Sequence, residues 1–139
     1  MAGMHRDKCG AAFVAGFFKT LSLLKPSGLR VHVIYFINLL EKFLSFFIIV
    51  FDNNLKGTLC LARNSVGEES YVADELISSR AKRIVRIGNT DAEGRMVMAD
   101  PLCEAKEMAL NAVNPFLFTI ATLTGHVIRA YGPAYTVYN

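Results

Sequence analysis

Asp91, Glu93 and Arg95 stand at i, i+2 and i+4 in the stretch Asn89-Thr90-Asp91-Ala92-Glu93-Gly94-Arg95. In an extended or looped backbone, residues two apart point the same way. That backbone would bring two carboxylates and a guanidinium to one point. Two hard oxygen donors beside an anion-binding fork suit a divalent metal next to an oxyanion.

Such a site needs elements to hold it. Ala11 to Lys25 is apolar at helical spacing, with Lys25 and Pro26 at its end. Arg30-Val31-His32 starts an extended run, and Gly57 to Ala62 reads as a buried strand. Asn64 to Arg80 is polar and reads as a loop. Arg83 to Ile87 alternates as a strand leading into the acidic motif, which continues extended with Met96 and Met98 as core residues. Asp100-Pro101 predicts a helix start, N-cap followed by proline at the first position, for an amphipathic helix over Leu102 to Val113. Phe116 to Leu123 is an apolar strand closed by Thr124-Gly125. Helices between buried strands predict an α/β fold with a largely parallel sheet. In such sheets sites form beyond the carboxyl ends of strands, where the acidic motif and Thr122-Leu123-Thr124-Gly125 both fall.

Composition excludes some classes. A net charge of +3 over 139 residues argues against nucleic acid or an anionic membrane as partner. Three cysteines, Cys9, Cys60 and Cys103, are odd in number and widely spaced. They predict small buried residues in a reducing compartment rather than a disulfide framework or a metal knuckle. The start carries charge but no apolar core, so it does not read as a secretory signal. His5, His32 and His126 are scattered and read as structural.

NTDAEGRMVMAD, residues 89 to 100, resembles the signature of the leucyl, or cytosol, aminopeptidases, a family of two-metal exopeptidases. Met4-His-Arg-Asp7-Lys-Cys-Gly10-Ala-Ala resembles the family's segment preceding it. Arg63-Asn-Ser-Val-Gly67 resembles the loop before the signature, and Ala121-Thr-Leu-Thr-Gly125 the substrate-side turn. The resemblance covers residues 1–32 and 57 to about 135.

The resemblance implies a partial three-layer catalytic domain: a mostly parallel central sheet flanked by helices, truncated at both ends. It implies removal of N-terminal residues from peptides, with Asp7, Asp91 and Glu93 as metal ligands. Arg95 would be the catalytic arginine, holding a bicarbonate or the developing gem-diolate. Thr122, Leu123, Thr124 and Gly125 would line the substrate. Two divalent ions, Zn²⁺ and/or Mn²⁺, bridged by the carboxylates, would polarise the scissile carbonyl and activate a water. Peptide substrates, a hexameric homo-oligomer and a cytoplasmic location follow from the same resemblance. The family's lysine-bearing metal segment belongs upstream of Asp7, where Lys8 cannot stand in for it. The chain therefore reads as an inactive fragment holding about half of a site, or as a catalytically dead homologue acting by subunit binding.

Residues 33–56, VIYFINLLEKFLSFFIIVFDNNLK, depart from the family pattern. Their removal joins Leu29-Arg-Val-His32 to Gly57-Thr-Leu-Cys-Leu-Ala. The segment contains no Gly, Ala, Pro or Arg and is rich in Phe, Ile, Leu, Asn and Lys. It begins with Val (codon GTN) and ends with Lys (AAG is one of its codons), matching the two ends of an intron. It reads as a foreign insert translated from a retained intron. The competing reading makes 33–51 a membrane-spanning helix, with Phe43 to Phe51 a shorter buried or interfacial alternative. Glu41-Lys42 near the middle opposes spanning by about 2.5–3.5 kcal/mol per charge.

Overall fold

The computed structural model describes residues 9–37, 42–51, 54–63, 67, 68, 70–122 and 124–135. Asp7, Leu123 and most of the Asn64–Gly67 loop lie outside the described residues. Helix α1 spans Cys9–Leu24 and is followed by strands β1 (Arg30–Ile37), β2 (Lys42–Phe51) and β3 (Asn54–Arg63). A short hairpin, β4 (Leu76–Ser78) and β5 (Ile84–Arg86), precedes a 3-10 turn over Thr90–Ala92. Helix α2 (Glu93–Ala109), strand β6 (Phe116–Ala121) and helix α3 (His126–Tyr131) complete the described chain.

Helix α1 forms where the sequence predicts it. Ala11, Val14 and Phe18 recur at helical spacing and are buried. It ends where Lys25 takes the left-handed conformation, φ 45°, and donates its N–H to the Leu21 carbonyl. Those three side chains meet Leu55 and Leu59 of β3 in the hydrophobic core, with Ile120 of β6 packed alongside.

The main sheet has the order β1-β3-β2-β6. Strand β1 pairs with β3 in parallel, whereas β2 pairs antiparallel with both β3 and β6. The sheet is therefore mixed by pairing, not mostly parallel. By direction, β1, β3 and β6 run the same way and β2 alone runs against them.

Alternation along β3 assigns its faces. Leu55 and Leu59 turn toward α1, and the Phe18 ring lies so close to Gly57 that a Cβ there would stand 2.3 Å from Phe18 Cε2. Lys56 turns the other way, its Nζ donating to Met108 Sδ of α2 at 3.1 Å, and Thr58 and Cys60 are buried on that same side. The sheet thus has one helix on each face.

Several sequence expectations are corrected. The signature does not continue as a strand: from Glu93 onward it is helical, and Met96 and Met98 are half-buried on α2. Pro101 lies inside α2, not at its first position. Asp100 does not cap α2, because its carboxylate accepts the Arg80 backbone N–H at 2.8 Å instead. The Arg80 guanidinium then grips Glu107, about two turns further along the same helix face, at 2.9 Å, so the hairpin turn clamps the helix on either side of the proline. The helix ends at Ala109 rather than Val113, and the polar stretch after β3 contains strand β4.

The apolar run is not helical where it is described. Val33–Ile37 belongs to β1 and Lys42–Phe51 is β2, as its β-branched and aromatic content favours. Among the described residues, no helix is long and apolar enough to cross a membrane. Of the cysteines only Cys60 is fully buried; Cys9 is exposed and Cys103 intermediate.

Candidate functional site

Two contacts fix the direction of each helix against the sheet. Met108, near the end of α2, sits at Lys56, near the start of β3. Fifteen residues back along α2, at ~1.5 Å each, is about 22 Å. The strand from Lys56 to Arg63 covers a matching length of about 23 Å at ~3.3 Å per residue. Glu93 therefore lies level with the carboxyl end of β3, and its charge reaches Tyr71 in the chain that follows that strand. On the other face, Phe18 packs on Gly57 while Gly10, at the start of α1, donates its N–H to Thr122 Oγ1 at 3.2 Å. Both helices thus begin at the edge where β3 and β6 end, the edge at which open α/β sheets build sites.

Asn89 shapes the acidic motif. Its extended backbone, φ −153° and ψ 117°, breaks from β5, and its side-chain oxygen accepts the Asp91 N–H at 2.9 Å. Its carbonyl accepts the Ala92 N–H at 3.2 Å, closing the 3-10 turn that leads into α2. This is an N-cap arrangement, satisfying donors that a helix start leaves free.

The helical backbone separates the three side chains that an extended one would gather. Glu93 is half-buried, whereas Asp91 and Arg95 are exposed. Burial raises the Glu93 carboxyl above its ordinary pKa, and the nearby Asp91 charge raises it further. The N–H groups of Glu93 and Gly94, at the start of α2, pull it back down. Tyr71 is likewise raised, first by burial and then by Glu93. Arg95 makes no ion pair among the described residues.

Two carboxylates are fewer donors than a divalent ion takes, four for zinc and about six for manganese or magnesium. Among the described residues no group of three His, Cys, Asp or Glu could hold a metal. The described residues alone thus do not fit a two-metal centre.

Of the candidate residues, Asp91, Glu93 and Arg95 lie by helix length level with the carboxyl end of β3, and Thr122, Thr124 and Gly125 follow the carboxyl end of β6. Thr122 is half-buried, while Thr124 and Gly125 are exposed. Asp7 and Leu123 lie outside the described residues. Sequence reading assigned no role to Asn89, Gly10 or Tyr71. An Asn two residues before an Asp, ahead of a Glu, was a legible cap signal. Nothing local marks the Tyr71–Glu93 neighbourhood.

The family model described as the cytosol aminopeptidase family, catalytic domain, matches residues 47–138. A Caenorhabditis elegans protein carrying an aminopeptidase name is 46% identical over 132 residues, 95% of this chain and 21% of the relative. Proteins of Persephonella marina and Metamycoplasma salivarium, both carrying the name cytosol aminopeptidase, are 33% and 30% identical. Those matches cover 95% and 98% of this chain and 21% of each relative. The chain spans about a fifth of the length of these relatives. No solved structure matches it.

Proposed function

The chain belongs to the cytosol aminopeptidase family, and on that premise we propose that it carries the carboxylate-and-arginine side of a metal-dependent aminopeptidase centre. The reaction is hydrolysis of the first peptide bond, releasing an N-terminal residue. Asp91 and Glu93, together with Asp7, are the ligands we assign to divalent metal, Zn²⁺ or Mn²⁺. The Glu93 carboxyl, raised first by burial and then by the Asp91 charge, supports this, because a cation beside it would favour its ionised form. Arg95, exposed at the start of α2, is free to hold bicarbonate or the developing gem-diolate. Thr122 to Gly125 would line the peptide. Assembly into a hexamer, a cytoplasmic site of action and the complete three-layer domain belong to the same reading.

The observation that supports it most is that the signature lies level with the carboxyl end of β3 while Thr122–Gly125 follows the carboxyl end of β6, the side of an open α/β sheet on which sites are built. We further assign weak metal binding and no turnover to this chain. Incubating the purified chain with leucine amide and Mn²⁺ tests that assignment. No leucine above the buffer control is expected; steady release, abolished by Arg95→Ala, would overturn it.

A further inference from the structure

We propose that residues 33–56 are an insertion that splits one β-strand into two and drives a reversed strand between β3 and β6. Three observations lead there. Strand β2, the one strand running against the other three of its sheet, comes wholly from this segment.

The second observation is the register of β1 on β3. Arg30 pairs with Asn54, Val31 with Leu55, His32 with Lys56 and Val33 with Gly57. If 33–56 is cut out and His32 joins Gly57, residues 30 to 32 inherit the places of their own lateral partners. The shift is one strand spacing, ~4.8 Å, without any slip along the strand. A slip of one residue would turn every side chain to the opposite face. Here parity is kept, and Val31 takes the buried place of Leu55 on the α1 side.

The third observation is that α1, which packs on Leu55 and β2 of the segment, also holds contacts outside it, Phe18 on Gly57 and Gly10 on Thr122. Those contacts hold β3 and β6 at matching heights: Cys60 and Ala121 both pair with Ser45, from opposite sides of β2. With β2 gone, β3 and β6 become parallel neighbours. The Thr122–Gly125 turn then moves one strand spacing closer to the carboxyl end of β3. The insertion is thus a spacer that holds the two halves of the site apart.

A disulfide ruler tests this. Ala121→Cys is introduced into the full chain and into the chain lacking 33–56, both with Cys9→Ser and Cys103→Ser. Two strand spacings, ~9.6 Å, are too far for a disulfide, which needs Cα atoms within about 7 Å. Refolding in a glutathione redox buffer, in which the Cys60 thiol reacts before the core closes over it, should therefore join native Cys60 to the sulfur introduced at position 121 only in the shortened chain, read as the loss of two hydrogens by mass. The shortened chain should also melt more cooperatively than the full chain. Bond formation in the full chain, its absence in the shortened chain, or a shortened chain melting no more cooperatively than the full chain would each overturn the proposal.

Discussion

The Gly10 backbone N–H donates to Thr122 Oγ1 at 3.2 Å, joining the first turn of α1 to the end of β6 across 112 positions of sequence. Gly10 is required for that approach. A Cβ there would stand 3.1 Å from both Ala121 Cα and the Ile120 carbonyl oxygen, and backbone atoms give little. Thr122→Val keeps the shape and removes the acceptor. It should lower stability by about 0.5–1.5 kcal/mol, the usual net contribution of such a bond. Gly10→Ala should lower it as well, by pushing α1 off β6. Urea unfolding of the three proteins reads both effects.

Gly57 and Phe18 form a second close pair. Any side chain at position 57 meets the buried Phe18 ring, whose edge also packs on Phe17. Gly57→Val should cost about 1–3 kcal/mol by overpacking. Phe18→Leu in the same protein should return part of that loss, and a double-mutant cycle in urea measures the coupling.

Asn89→Ala removes the cap that turns the chain from β5 into α2. A loss of about 1 kcal/mol is expected, accompanied by faster amide exchange at Asp91 and Ala92. Unchanged exchange there would show that the turn is held by something else.

Burial pushes the Cys60 thiol up to about 12 from an ordinary value of 9.0. Folding favours the neutral thiol, so this stabilisation is complete below pH 9 and is lost as pH climbs toward 12. At neutral pH, iodoacetamide should label exposed Cys9 readily and Cys60 only on unfolding. Equal labelling rates would place Cys60 outside the core.

Phe116 and Phe118 of β6 are exposed, and β6 is an edge strand among the described residues. Leu110 and Val113 add exposed apolar surface just before it. Unprotected apolar edges associate. The chain should therefore sediment as concentration-dependent aggregates. A single monomeric species at all concentrations would contradict this.

Much of this was legible in the sequence. The Ala11, Val14, Phe18 spacing marked α1, and Phe116 to Ala121 marked β6. The signature and the Thr122–Gly125 turn were each expected beyond the carboxyl end of a strand. What sequence could not supply was tertiary. Asp100 next to Pro101 carries every local sign of a helix start, yet its carboxylate is taken by the Arg80 N–H. An extended reading of Asp91, Glu93 and Arg95 fitted the alternation of β5, but the Asn89 cap begins a helical path two residues later. The apolar run from Val33 had the length of a helix. Its β-branched and aromatic content permits strand as well, and pairing with β3 and β6 decides it.

The central claim, that Asp91 and Glu93 are metal ligands, is tested most directly by Mn²⁺ titration followed by electron paramagnetic resonance. The full chain should bind Mn²⁺ weakly, and Asp91→Asn with Glu93→Gln should abolish that binding while leaving the circular dichroism spectrum unchanged. Identical binding by the two proteins would contradict the account.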